Sequence, residues 1–167
     1  MTRRLILIRH AKSSWDDPRL ADHDRVLNSR GLNACRSIGA WLAANGYQPD
    51  EVIASSAART QETWSRIAGA LAPVALVRSE TRLYHAEPEM MLRMLRTATG
   101  RTVAMIGHNP GIAEFAARML RLPVDHPDFR RYPTAATLVA DFAVEDWAGL
   151  TPASGRAVAF TVPRDLA

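Results

Sequence analysis

The chain of 167 residues contains one cysteine, one lysine and no long apolar run, and each scarcity excludes a class of protein. Cys35 has no partner for an internal disulfide, and a lone cysteine disfavours a structural zinc site built from several thiolates. No apolar run approaches the roughly 20 residues that a membrane-spanning helix needs. The basic residues 1–4 precede only a short apolar run, and Arg-His-Ala-Lys follows in place of a signal-peptide cleavage site. We therefore expect a cytoplasmic protein with no membrane association.

Because lysine is scarce, arginine supplies almost all of the positive charge, and the net charge is +4. A basic protein can bind nucleic acid or an anionic substrate. The arginines are scattered, with pairs only at 3–4 and 130–131, and no aromatic stacking motif accompanies them. We therefore expect no nucleic-acid partner. A steep dependence of DNA or RNA affinity on salt concentration would indicate the opposite.

The composition is that of an ordinary globular protein, with 47% hydrophobic and 23% charged residues. The length suits a single hydrophobic core. We therefore predict one domain over residues 1–167, acting as a monomer.

Strand-like and helix-like segments alternate along the chain. We predict strands at about 4–8, 52–54, 74–77, 102–106, 137–142 and 158–162, and helices at about 30–45, 57–71, 88–99 and 110–122. Such alternation indicates an α/β sandwich on a mostly parallel sheet. The last two strands have no helix between them, so we expect an antiparallel edge. Ser56 is placed to cap the second helix.

Polar residues follow three of the predicted strands directly. They are Arg9 and His10, then Ser55, Ser56 and Arg59, and finally His108. Ligands of open α/β sheets bind beyond the carboxyl ends of the strands, so these side chains should meet at one edge. His23 and His126 lie in polar loops, and we expect them on the surface.

Two arginines and two histidines in one place suit a phosphoryl group. Guanidinium groups match phosphate oxygens bidentately, and helix starts near Arg59 and His108 add positive ends. A neutral nitrogen of His10 can attack phosphorus and form a phosphohistidine. The arginines and a protonated His108 would stabilise the charge, so we expect no metal and no cofactor.

The segment Arg9-His10-Ala11 resembles the Arg-His-Gly motif of the histidine phosphatase superfamily, which includes cofactor-dependent phosphoglycerate mutases and many phosphatases. Four further segments are similar to motifs of that family. They are Ser13, Trp15 and Asp16; residues 25–31 (Arg-Val-Leu-Asn-Ser-Arg-Gly); residues 55–63 (Ser-Ser-Ala-Ala-Arg-Thr-Gln-Glu-Thr); and residues 107–110 (Gly-His-Asn-Pro). The short chain and its ending are similar to the small SixA-type phosphohistidine phosphatases.

The resemblance implies a Rossmann-like three-layer α/β/α sandwich and a catalytic core, with substrate contacts beside it. The core would consist of His10, Arg9, Arg59 and His108, and Ser13, Asp16 and Glu87 would contact substrate. The implied substrate is a phosphorylated protein, carrying phosphohistidine, or a small phosphorylated molecule. The chain is predicted to be a metal-independent phosphatase. A non-catalytic phosphate-binding module remains the alternative from a different class.

The chain departs from the family pattern at three places. Ala11 stands for Gly, and Asn28 stands for Thr, where a capping role can survive. No clear general acid is present, because Asn109 stands where acid-phosphatase-like members have Asp. Glu87 is the nearest candidate acid, although its place before a proline also suits a helix cap, and His85 is a second candidate. SixA-type proteins also lack a clear acid, which suits an imidazole leaving group.

Overall fold

The computed structural model describes residues 1–167 and contains one six-stranded sheet with two helices on each face. The strands are β1 (Arg3–Arg9), β2 (Glu51–Ser55), β3 (Leu76–Glu80), β4 (Thr102–Gly107), β5 (Thr137–Phe142) and β6 (Arg156–Thr161). The helices are α1 (Ser29–Ala44), α2 (Ala58–Ala68), α3 (Pro88–Leu95) and α4 (Gly111–Met119). No helix is both long and apolar enough to cross a bilayer.

The strand order is β3-β2-β4-β1-β5-β6. The pairs β1–β4, β2–β3 and β2–β4 are parallel, whereas β1–β5 and β5–β6 are antiparallel. The predicted fold class, a three-layer sandwich with a mostly parallel sheet and an antiparallel edge, is therefore confirmed.

The central strand β1 is buried on both faces, which explains its uninterrupted apolar sequence. Leu5 and Leu7 point to a core shared with α3 and α4. Ile6 and Ile8 point to the opposite core, which is shared with α1 and α2. Because β1 packs against helices on both faces of the sheet, the residues that follow it extend from a rigid strand.

Two element boundaries differ from the sequence prediction for reasons of pairing. The third strand lies at Leu76–Glu80 rather than 74–77, because an edge strand takes its position from backbone pairing with β2. Its apolar side chains Leu76 and Val77 are exposed, so burial does not determine its register. Helix α4 ends at Met119 rather than 122, because Leu120 is extended and pairs with Gly155.

Helix α3 also ends earlier than predicted. The backbone N–H groups of Thr99 and Gly100 both donate to the buried Glu51 carboxylate, at 2.8 Å each. That carboxylate, from β2, replaces the carbonyls that a continuing helix would supply.

The two predicted N-caps have opposite outcomes. Asn28 caps α1, since its side-chain oxygen accepts from the Gly31 N–H at 2.9 Å. The prediction for Ser56 is wrong: α2 begins after Ala57 without a side-chain cap, and the Ser56 hydroxyl instead bonds His23 Nε2 at 2.9 Å.

Helix α1 approaches the loop after β1 so closely that only glycine fits at position 31. A Cβ on Gly31 would lie 2.2 Å from the Lys12 carbonyl oxygen. The same oxygen accepts from the Asn28 N–H at 3.0 Å. The start of α1 therefore holds the backbone two residues beyond His10.

We expect Gly31→Ala to lower the free energy of unfolding by about 1–3 kcal/mol, the usual cost of forcing a group into a packed site. It should also displace Lys12 and slow the phosphatase activity that the family resemblance implies. Urea denaturation and a hydrolysis assay test both effects.

Gly69→Ala is the matched control, since the nearest atom to its Cβ would be a backbone oxygen at 3.5 Å. We expect it to leave stability unchanged or raise it by about 0.4–1 kcal/mol. Equal stabilities of the two variants would contradict the close-approach argument.

Candidate active site

A cavity of about 240 Å³ opens at the carboxyl ends of β1, β2 and β4. It is lined by Arg9, His10, Lys12, Ser13, Trp15, Asp22, Arg25, Arg59, His85, His108, Asn109 and Thr134. The structure thus brings together the four residues of the predicted core, which come from three separate strand ends. Trp15 is the one hydrophobic member, and the lining is otherwise polar.

His10 is buried and its ring has a defined tautomer. Nδ1 lies 2.8 Å from the Ala11 carbonyl oxygen, which can only accept, so Nδ1 carries the proton and Nε2 keeps its lone pair. Burial lowers the pKa of His10 to about 3, and the nearby charges of Arg9, Arg59 and Arg25 act in the same direction. His10 is therefore a neutral imidazole near pH 7, as a nucleophile must be.

Arg59 lies in the first turn of α2 and is only 2% exposed. Its Nη1 donates to the Asp22 carbonyl at 2.7 Å, and its Nη2 donates to Asp22 Oδ2 at 3.0 Å. Arg9 donates through Nη1 to the Tyr132 carbonyl at 3.2 Å. The Nε groups of Arg9 and Arg59 are both buried without a partner. Both arginines line the cavity, and guanidinium groups match the oxygens of an anion through paired N–H donors.

His108 follows β4 and bonds at both ring nitrogens. Nδ1 lies 3.4 Å from Nη2 of Arg59, which can only donate, and Nε2 lies 2.8 Å from the Ser55 hydroxyl. The pKa of His108 is lowered to about 2, mainly by burial and then by His10, Arg59 and His85, whereas Asp22 raises it. The expectation of a protonated His108 is therefore wrong for this structure, because desolvation among cations disfavours the imidazolium.

Arg25 and Asp22 complete the cavity, and sequence reasoning singled out neither as a site residue. Arg25 is buried, donates to the Ser13 hydroxyl at 2.7 Å and stacks 3.5 Å from the Trp15 ring. Ser13 thus belongs to the wall through its contact with Arg25. Arg25 could have been identified as a site residue from the sequence, because it is the first residue of the segment 25–31 that resembles a family motif.

The Asp22 carboxylate accepts hydrogen bonds from Arg25, Arg59, Tyr84 and His85. The hydrogen bond from Tyr84 is the largest of the effects that hold the pKa of Asp22 well below its usual range. In the sequence, Asp22 was indistinguishable from three other aspartates of the same loop.

Two predicted substrate contacts lie outside the cavity lining. Asp16 is exposed, and its backbone N–H bonds the Ser14 hydroxyl. Glu87 is exposed at the cap position of α3, and its side chain makes no capping hydrogen bond. The structure instead places His85 in the lining. His23 and His126 are partly exposed and also lie outside it, and they bond Ser56 and Asp165 respectively.

The lowered pKa values of His10 and His108 predict an acid-sensitive fold. The unfolded chain protonates both rings near pH 6.5, whereas the native state does so only near pH 3 and 2. The unfolded state therefore binds more protons below pH 6.5, and stability falls as the pH falls toward the native values. Each ring contributes a slope of up to about 1.4 kcal/mol per pH unit.

Urea denaturation at pH 7 and at pH 5 measures how much the free energy of unfolding falls with pH. Wild type should lose more stability between the two values than His10→Gln or His108→Gln, by about 2 kcal/mol per ring removed. If wild type and both variants lose the same stability between pH 7 and pH 5, the conclusion that His10 and His108 are neutral in the native state is wrong.

Comparison with known proteins agrees with this geometry. Residues 5–84 match the family described as histidine phosphatase superfamily (branch 1). The uncharacterized protein ML1117 of Mycobacterium leprae is 33% identical over 168 residues, which cover 94% of this chain and 100% of that protein. A 2,3-bisphosphoglycerate-dependent phosphoglycerate mutase of Methylorubrum extorquens is 36% identical over 69 residues, 40% of this chain and 32% of the mutase.

Solved structures resemble the chain over nearly its whole length. A protein assigned as phosphohistidine phosphatase SixA from Nakamurella multipartitia superposes with a TM-score of 0.81 at 27% identity, covering 98% of this chain and 97% of that one. A similar assignment from Agrobacterium tumefaciens has a TM-score of 0.79 at 25% identity, with 96% and 98% covered. The chain therefore belongs to the histidine phosphatase superfamily, and its structure is of the SixA type.

Proposed function

We propose that the protein is a metal-independent phosphatase that acts through a phosphohistidine on His10, with protein phosphohistidine as its substrate. Nε2 of His10 forms a bond to phosphorus while the bond from phosphorus to the leaving group breaks. Water then attacks phosphorus, the N–P bond breaks, and its electron pair returns to Nε2. Phosphate leaves and the neutral ring is restored.

The observation that carries this proposal is a neutral nucleophile inside a cationic cavity. His10 has an unprotonated Nε2, and the lining includes Arg9, Lys12, Arg25 and Arg59. The guanidinium groups of Arg9 and Arg59, which line the cavity, supply N–H donors for phosphate oxygens. Four basic side chains against the single carboxylate of Asp22 leave enough positive charge to balance a phosphoryl dianion without a metal ion.

His108 and Ser55 fit the same reaction as a hydrogen-bonding pair. A bound dianion next to His108 would favour its protonated form, because an opposite charge nearby raises the pKa of an imidazole. His108 would then donate to a phosphoryl oxygen through Nδ1, which turns from the Arg59 guanidinium to the phosphate, while Ser55 keeps its contact with Nε2.

The size of the cavity favours a protein substrate. Its volume of about 240 Å³ lies below the roughly 300–1,000 Å³ of typical small-molecule sites. Such a space suits a phosphoryl group, with the rest of the substrate outside the mouth, as a phosphorylated side chain on a protein would be. The solved relatives assigned as phosphohistidine phosphatases support the same class of substrate.

Replacement of the nucleophile tests the mechanism directly. We expect His10→Asn to lower kcat by about 10⁴-fold or more, since no other group can carry the phosphoryl. Wild type quenched in alkaline denaturant during turnover should carry labelled phosphate on His10, and the variant should carry none. His126→Asn is the control, because His126 bonds Asp165 away from the cavity.

Unchanged activity of His10→Asn would refute the mechanism. Saturable phosphate binding by wild type without hydrolysis of any phosphoramidate or aryl phosphate would instead indicate a binding module.

A substrate panel tests specificity and metal independence. We expect kcat/KM for a phosphohistidine-bearing protein to exceed that for sugar phosphates by about 100-fold, a difference of about 2.7 kcal/mol in transition-state binding. Prior treatment with EDTA should leave both rates unchanged. A preference for sugar phosphates would favour the small-molecule alternative, and a loss of activity restored by a divalent metal would disprove metal independence.

A further inference from the structure

His85 faces the nucleophile across the cavity. His10 follows β1, whereas His85 follows β3, and the strand order β3-β2-β4-β1 places two strands between them. Both residues line the cavity. The ring of His108, from β4, lies 5.3 Å from the His10 ring and 4.9 Å from the His85 ring. His85 therefore lies in the same cavity as His10, with the His108 ring next to both.

The backbone at His85 is held in an unusual conformation. Its φ is 51°, in the left-handed region that only a few per cent of residues other than Gly adopt, although Asn, Asp and His do so more often than the rest. Such a residue costs about 1–3 kcal/mol and persists only where its surroundings impose the conformation. Here the next residue is fixed on both sides: Ala86 N–H donates to the Leu83 carbonyl, and its own carbonyl packs against Gly111, where a Cβ would lie 1.8 Å away.

The side chain of His85 contacts a charged partner, Asp22, and is also accessible at the mouth of the cavity. Its Nε2 donates to Asp22 Oδ2 at 3.1 Å, and half of the side chain is exposed. Nδ1 is then the nitrogen left for a substrate. The other groups that face the ring are Tyr84 and His108, and Arg59 lies behind Tyr84. Asp22 is the negative charge in direct contact with the ring.

We propose that His85 is the proton donor for the leaving group, so that the site hydrolyses alkyl phosphomonoesters as well as phosphohistidine. This rests on His10 being the nucleophile. As Nε2 of His10 bonds phosphorus, the P–O bond breaks and the alkoxide oxygen takes the Nδ1 proton of His85. An alkoxide is a poor leaving group without that proton, whereas an imidazole or a nitrophenolate departs readily.

The second half of the reaction restores the donor. The neutral His85 takes a proton from the water that attacks the phosphorylated His10, and the ring returns to its protonated form. Phosphate carries the remaining atoms of the water away. His85 therefore acts as acid and then as base, and no other reactant is needed.

Glu87, the carboxylate favoured by sequence for this role, is two residues further on. It is exposed and does not line the cavity. The structure therefore assigns the wall facing the leaving group to His85 rather than to Glu87.

The test compares leaving groups in His85→Asn, a substitution that the left-handed backbone tolerates. For glycerol 2-phosphate, kcat/KM should fall about 100-fold, the usual contribution of a positioned acid. For p-nitrophenyl phosphate, kcat/KM should change by less than about threefold, since this parameter reports the first chemical step and nitrophenolate needs no proton. Labelled phosphate should accumulate on His10, because water attack loses its base.

Two further variants complete the design. Glu89→Gln, on the exposed face of α3, should match wild type on both substrates. Glu87→Gln should also match, and a loss confined to the alkyl ester in this variant would transfer the role to Glu87.

Equal losses on both esters in His85→Asn, or no loss on either, would overturn the proposal. A wild type that never hydrolyses glycerol 2-phosphate would also overturn it. The proposed nucleophile is judged separately, by the label on His10 in wild type and by the loss of that label in His10→Asn, neither of which involves His85→Asn.

Discussion

The Asp22 carboxylate is the one negative charge in a cavity that contains four basic side chains, and the arrangement of the site depends on it. It accepts hydrogen bonds from two arginines, Arg25 and Arg59, and from Tyr84 and His85. Guanidinium groups this close repel one another, and the charge of Arg59 adds to burial in lowering the pKa of Arg9. Asp22 offsets part of that repulsion, and the uncompensated remainder is what attracts an anion.

The same crowding of cations separates the roles of arginine and histidine. Arginine keeps its charge when buried, because its pKa in water lies far above neutrality. Histidine does not, and desolvation beside these cations lowers the pKa of His10 to about 3 and that of His108 to about 2. The arginines therefore stay charged while His10 stays neutral, which is what the proposed mechanism requires of them. The same electrostatic environment thus leaves the arginines charged and His10 neutral.

The sheet and the loops contribute differently to the cavity. Strand ends place His10, Arg59 and His108, and the two packed cores hold those ends rigid. Loops supply the opposite wall, with Asp22 from a short 3₁₀ turn and His85 from the segment before α3. Loops vary more readily than strands, so the leaving-group side is where substrate preference can change while the phosphoryl chemistry stays the same.

The amino-acid pattern alone determined the α/β alternation, the antiparallel edge and the convergence of the residues that follow the strands, because burial periodicity and the strand-end rule are nearly local properties. Pairing partners decided the limits of β3 and α4, since an edge strand and a helix end take their positions from distant backbone. Only the tertiary structure distinguished Asp22 from its neighbouring aspartates, because its partner Arg59 lies 37 residues away. It also decided that His108 is neutral, because the protonation of a buried histidine depends on the side chains around it. It decided as well that His85, not Glu87, lines the cavity, because access depends on how separate segments pack together.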